Sequence, residues 1–211
     1  GWYRRWQRGR AQAVRSRIAV VTPTRGESMW LADTVASVAA LGLDCRHILV
    51  APPHAVAGLQ EKFPRTTVVA EPEGGAGMYA AINAGVAAVG DWDVMTYIND
   101  DDVLLPPFAT VLRAAAGARG RALIAYGGVR LIDARGVRLG AIPISRFPTM
   151  NRALYAQRLE PVFQHGTVVT RAAWARMGGF DAALRFCGDS ELLARACVQG
   201  VPFVCATGRE V

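Results

Sequence analysis

Apolar runs of four to six residues recur along the chain, each closed by a polar or proline-containing turn. The first is Arg17–Thr24, with Ile18, Ala19, Val20 and Val21 in a row. His47–Ala51, Thr66–Ala70 and Val94–Ile98 follow. Short runs rich in β-branched residues, without polar alternation, read as strands buried on both faces. Between them lie segments with helical spacing. Glu27–Leu41 places Leu31, Val35 and Val38 on one face and ends at Gly42. Ala55–Phe63 is a short helix after the Pro52-Pro53 break, and Met78–Val89 is a helix of small residues. Strands alternating with helices at this spacing predict an α/β chain with a mostly parallel central sheet flanked by helices.

The second half is less regular. Pro107–Ala116 reads as a helix. Ala122–Asp133 reads as a strand with a glycine-rich break, turned back through Ala134–Val137 as a hairpin. The segment 143–158 has no clear period and is read as a mobile loop. A short strand within Val162–Thr170, a helix Ala172–Met177 closed by Gly178-Gly179, a helix Gly188–Gln199 and a strand Val201–Cys205 complete the chain.

In parallel α/β sheets, ligands bind at the carboxyl ends of the strands. The turn Thr22–Glu27, the Pro52 turn, the glycine loop Glu71–Gly77 and Asp100-Asp101-Asp102 all fall at that edge. Three carboxylates at the tip of a buried strand repel one another and are costly to desolvate. A hard divalent cation with oxygen ligands answers both problems. The alternative is a solvated acidic loop that caps the helix after Pro107.

With 211 residues, 52% of them hydrophobic, the chain is long enough for a large domain with a substantial core. No uninterrupted apolar stretch is long enough to span a bilayer, and no apolar signal segment is visible. The chain opens at Gly1, so removal of an upstream segment is expected. Cys45, Cys187, Cys197 and Cys205 are scattered without a CxxC pair, which predicts reduced thiols in a cytoplasmic protein. Net charge is +7, and Arg4, Arg5, Arg8, Arg10, Arg15 and Arg17 cluster among Trp2, Tyr3 and Trp6. This basic segment, residues 1–16, suits peripheral contact with the inner, anionic face of a cell membrane, or a solvated terminus. No nucleic-acid-binding motif accompanies it, so nucleic acid is not expected as a partner.

Four segments, in order, carry a resemblance to the family 2 glycosyltransferases with the GT-A fold, within a bacterial polysaccharide, colanic-acid-like branch. They are Val20–Arg25, Glu71–Gly85, Ile98–Asp102, and Gln164–Thr167 with Gly178–Asp181 and Gly188–Leu192. The third is similar to that branch's form of the DxD metal motif. The resemblance implies the GT-A nucleotide-diphospho-sugar transferase fold over residues 17–211. It gives a nucleotide-binding half, 17–102, and an acceptor-binding half, 103–211. It also implies an inverting, metal-dependent glycosyltransferase that takes a nucleoside-diphosphate sugar as donor and a glycan or lipid-linked acceptor.

By the same resemblance, Asp102 with Asp100 holds Mn2+ or Mg2+. Thr22, Pro23, Thr24, Glu27, Asn83, Asp100 and Asp101 face the donor. Gln164, His165 and Glu191 face the acceptor, and Asp189 is the general base. Residue chemistry leaves other readings open for several of these. Asp189 at a helix start is also an N-cap, Asn83 also fits as a polar residue tucked against a neighbouring loop, and Glu191 also fits as helix support. Asp181 is read as a turn residue. The sequence departs from the family after the second strand, where Ala51-Pro52-Pro53-His54 replaces a base-contacting aspartate, and at Ala80, where the branch has aspartate. Together with a chain end soon after the last strand, these departures keep a second reading in play: a catalytically inactive nucleotide-sugar-binding module. A nucleotidyltransferase is disfavoured, because no glycine-rich, Arg/Lys-bearing segment follows the first strand.

Overall fold

A computed structural model describes residues 17–74 and 77–211. The basic segment 1–16 lies outside the described residues, as do two residues of the glycine loop. β1 (Ile18–Pro23), β2 (Cys45–Ala51), β3 (Thr67–Ala70) and β4 (Val94–Tyr97) form a parallel set in the order β3-β2-β1-β4. β7 (Thr167–Thr170) then runs antiparallel between β4 and β5 (Ile124–Ile132). β8 (Phe203–Glu210) lies parallel to the first residues of β5, and β6 (Arg138–Ile142) folds back on its end as the expected hairpin. The sheet has eight strands, of which β6 and β7 run against the rest. The glycine pair Gly127-Gly128 does not interrupt β5.

Side chains alternate across a strand, so each parallel strand feeds two cores. Ala19 and Val21 of β1 join a core with α3 (Gly77–Val89), α6 (Arg171–Met177) and α7 (Gly188–Val198). Ile18 and Val20 join the opposite core with α1 (Leu31–Ala40) and α4 (Phe108–Ala116). Leu31 of α1 and Leu59 of α2 (Pro53–Lys62) close a third cluster over Leu49. The close approach of α3 to the sheet depends on Gly85, where a Cβ would stand 2.6 Å from Val21 Cγ1 and 2.7 Å from Val50 Cγ2.

Two elements differ from expectation. α1 starts at Leu31, not Glu27, because the side chains of Thr24 and Ser28 bond within the preceding turn and to Asp100 instead of a helix start. The segment 143–158, read as a mobile loop, contains a 3-10 turn, Pro148–Met150, and a short helix, α5 (Asn151–Ala156). It is tied down where the Tyr126 hydroxyl donates to the Ser145 carbonyl at 2.7 Å and Tyr155 to the Val162 carbonyl at 3.2 Å. No helix among the described residues is long and apolar enough to cross a membrane.

Two stability predictions follow from the core. His47 is 6% exposed on β2, its Nε2 2.9 Å from the Thr22 hydroxyl. Burial lowers its pKa from the ordinary 6.5 to about 4. Between those values the unfolded chain binds the extra proton, so the stability from neutral burial is complete above pH 6.5 and lost as pH falls to about 4. The unfolding free energy should drop by about 3 kcal/mol over that window, measured by urea denaturation, and His47→Gln should flatten it. A pH dependence identical in the variant would rule this out. Gly85→Ala should lower the urea midpoint, with a loss of stability of up to about 2 kcal/mol. Crowding two stiff, buried valines costs about 1–3 kcal/mol, more than the ~1 kcal/mol gained in helix propensity. A raised midpoint would contradict the close packing.

Candidate functional site

Every residue of β4 from Val94 to Tyr97 is buried, and Ile98 beyond it is buried too. The chain then emerges at Asn99 and turns through Asp100, Asp101 and Asp102. Hydroxyls from the β1–α1 segment hold this turn. Ser28 Oγ donates to the Asp100 carbonyl at 2.8 Å, and Thr34 Oγ1 donates to the Asp102 carbonyl at 2.7 Å. Ser37 Oγ accepts from the Leu104 amide at 3.0 Å. These three bonds grip the backbone and leave the carboxylates free. A fourth hydroxyl, that of Thr24, takes a carboxylate oxygen, donating to Asp100 Oδ2 at 2.5 Å. Ser28, Thr34 and Ser37 were not singled out from sequence. Hydroxyls spaced along a helix start carry no signal until the acidic turn lies beside them.

Asp102 is the most constrained of the three. Its Oδ2 accepts from Asn99 Nδ2 at 3.1 Å and lies 3.5 Å from His165 Nε2. Burial pushes the Asp102 carboxyl above its ordinary value. The Asp101 and Asp100 charges push the same way, while His165 and Asn99 oppose them. Asn99 Oδ1 and His165 Nδ1 are buried without partners among the described residues. Asp101 and Asp102 line a groove of about 670 Å³, with His165 and Trp30 beside them and Arg130 and Arg135 of the β5–β6 hairpin also in its wall. Among the described residues, no three His, Cys, Asp or Glu side chains converge as a preformed metal site.

A second cluster stands at Asp189, the second residue of α7. The Tyr79 hydroxyl of α3 lies 3.3 Å from Asp189 Oδ1 and accepts from the Gly188 amide at 2.8 Å. Gly188 has no room for a side chain: a Cβ there would lie 2.6 Å from the Tyr79 ring. Burial raises the Tyr97 hydroxyl pKa well above its ordinary value, and the charges of both Asp189 and Asp102 add to that. Tyr97 therefore lies within electrostatic reach of both clusters. The 3-10 turn Gln164–Gly166 divides them. His165 faces Asp102, whereas Gln164, 5% exposed, lines a small internal cavity with Asp189 and Tyr97.

Other expected site residues serve elsewhere. Thr22 is fully buried and its hydroxyl lies 2.9 Å from His47 Nε2 of the neighbouring strand β2. Pro23 ends β1 half-buried, and Glu27 is exposed four residues before α1. Asn83 is spent on the Phe180 backbone, its Nδ2 donating to the carbonyl at 2.9 Å and its Oδ1 accepting from the amide at 3.0 Å. Glu191 makes a two-pronged pair with Arg195 at 2.7 and 2.6 Å, one turn along α7, which supports the helix. Asp181 accepts from the Ala183 amide at 2.9 Å, as a turn residue should.

No model of a known protein family matches the sequence, and no curated protein matches it. Solved structures do match. Residues 1–349 of TarS from S. aureus superpose with TM-score 0.68 at 15% identity, over 92% of this chain and 59% of that one. A mannosyltransferase from Pyrobaculum calidifontis, solved with GDP-Man and Mn2+, gives TM-score 0.59 at 14% identity, over 98% of this chain and 62% of that one. A nucleotidyl transferase from Methanothermobacter thermautotroptrophicus gives TM-score 0.55 at 17% identity, over 92% and 88%. The chain thus spans about three fifths of the length of the first two. At these identities the likeness is one of fold, and the fold is that of the GT-A-like nucleotide-sugar transferases.

Proposed function

We propose that this chain is an inverting, metal-dependent glycosyltransferase that moves a sugar from a nucleoside-diphosphate sugar to an acceptor hydroxyl. The observation that carries this reading is the pairing of two carboxylate centres at one sheet edge. One is the acidic turn at Asp100–Asp102, and the other is Asp189, which lines a small cavity with Gln164 and with Tyr97 at the end of β4. In this reading residues 17–102 take the nucleotide and residues 103–211 take the acceptor, a glycan or lipid-linked acceptor of bacterial polysaccharide assembly. The basic segment 1–16 would let a cytoplasmic enzyme of this kind rest on the membrane face.

The residues at Asp102 fit a divalent cation. Asp102 and Asp101 offer hard oxygens, Asn99 Oδ1 is a buried oxygen without a partner, and His165 supplies an imidazole nitrogen 3.5 Å from Asp102. Asp102 with His165 would hold Mn2+ or Mg2+, and the bound cation would neutralise charge on the departing diphosphate. His165 thereby moves from the acceptor side, where sequence put it, to the metal side. Asp100, with one oxygen on Thr24, fixes the loop more than it coordinates. Two protein ligands leave positions for substrate phosphates, which is how such ions are commonly shared.

Asp189 would accept the proton of the acceptor hydroxyl as that oxygen attacks the anomeric carbon. The bond from that carbon to the diphosphate breaks as the new one forms, and configuration inverts in one displacement. The neighbouring nucleotidyl transferase fold supports a rival reading, transfer of a nucleotide from a triphosphate. It is separated by the same assay, run with CTP and UTP.

Calorimetric titration of UDP, GDP, dTDP and CDP should find one nucleotide whose affinity rises at least about tenfold with Mn2+, a gain of about 1.4 kcal/mol. Asp102→Asn should remove that gain. Binding of none, or binding indifferent to metal in the wild type, would overturn the reading. Asp189→Asn should keep nucleotide binding and lose transfer by about 10²–10⁴-fold, the range for a missing general base. Wild-type turnover in Asp189→Asn would remove Asp189 from the mechanism.

A further inference from the structure

Tyr79 is the residue that fixes Asp189, and nothing in the mechanism above uses it. Its phenol is 3% exposed although its hydroxyl meets two groups of α7. The Gly188 amide donates to that hydroxyl at 2.8 Å, so the lone pair is used and the phenolic proton is directed elsewhere. The acceptor in reach is Asp189 Oδ1 at 3.3 Å, longer than the usual O–H···O distance of about 2.8 Å and able to tighten once substrate is bound.

The ring itself cannot drift. It stacks on Phe180 with centroids 5.1 Å apart and planes at 23°, and the Gly188 backbone lies against its other atoms. Phe180 is in turn gripped by Asn83 at both its amide and its carbonyl. Burial raises the Tyr79 pKa, and the Asp189 charge raises it further, so the phenol stays a proton donor through the working range of a carboxylate base.

From this geometry we infer that Tyr79 is a positioning residue for Asp189, donating a hydrogen bond that orients the carboxylate. The inference rests on the reading of Asp189 as the base. A carboxylate that loses a donor becomes easier to protonate, and an unanchored one spends less time aimed at the acceptor. The other titratable groups facing Asp189 are Tyr97 of β4 and Tyr155 of α5, both pushed up by burial, and Glu160, which accepts from the adjacent Ser190 hydroxyl. On α7 itself Glu191 is neutralised by Arg195. Glu160→Gln serves as the control for that neighbouring carboxylate.

The test measures kcat and KM against pH for wild type, Tyr79→Phe, Asp189→Asn and the double variant. The probes are UDP-glucose and GDP-mannose with Mn2+, and the readout is nucleoside diphosphate released as the sugar passes to water or to an added sugar alcohol. Tyr79→Phe should lower kcat about tenfold, leave KM for the sugar nucleotide and the calorimetric affinity for the diphosphate within twofold, and move the acidic limb of the kcat profile up by about one pH unit. The shift should persist in Glu160→Gln. In the Asp189→Asn background, Tyr79→Phe should change kcat by less than twofold, since the two act as one unit.

A Tyr79→Phe enzyme with wild-type kcat and pH profile overturns this inference and leaves the transfer reading intact. So does one that loses diphosphate binding along with turnover, since that marks a merely structural tyrosine. If Tyr79→Phe does not fold, Tyr79→His with unchanged pH profile overturns it equally. Wild-type protein without turnover on either probe, and without metal-dependent diphosphate binding, overturns both.

Discussion

Three adjacent carboxylates at the mouth of a strand that is buried along its whole length set the terms for the rest of this molecule. β4 brings them there because Val94, Met95, Thr96 and Tyr97 are all inside, so the chain has no gradual exit to water. The turn is held by neutral hydrogen bonds from Ser28, Thr34 and Ser37, each worth about 1 kcal/mol. Those bonds define the path of the backbone. They do little for the charges, since they end on peptide groups and not on carboxylate oxygens. The upward push on Asp102 from burial and from its two neighbours is the residue of that imbalance. Carboxylates crowded in this way favour a positive charge beside them.

A second constraint runs at right angles to the first. Asn83, Phe180, Tyr79 and Gly188 form a continuous thread from helix α3 to the start of α7. Residues about a hundred positions apart are thereby brought within hydrogen-bond distance. The aromatic cluster around Phe180, with Tyr97 edge-on at 5.4 Å and Trp174 at 5.6 Å, makes that junction apolar and closely packed. α7 consequently starts at a fixed place, and Asp189 is presented beside Tyr97 by the same packing that closes the core.

The strands and most helices were legible because their signals are local. Pro52 and Pro53 end β2 and open α2, and Gly178 ends α6 in the left-handed conformation that glycine adopts freely. The helix expected from Glu27 starts four residues later, at Leu31, because Thr24 and Ser28 bond to the acidic turn. α5 was missed because Pro148, Asn151 and Arg152 break any period. Its anchors, the carbonyls taken by Tyr126 and Tyr155, come from side chains whose partners no window of sequence contains.

By itself the sequence determined the α/β layout, the edge at which the polar turns gather, and the identity of the acidic turn, all consequences of hydrophobic period and chain stiffness. Only the tertiary structure decided which polar side chains remain available. Thr22, Asn83 and Glu191 each met a partner within the protein, in His47, Phe180 and Arg195, that uses part of their hydrogen-bonding capacity. Gln164 and His165, neighbours in sequence, were sent to opposite clusters by a tight turn. The physical reason is range. Secondary structure is written in contacts a few residues apart, whereas the partners that occupy or free a polar group are chosen by packing between segments far apart in the chain.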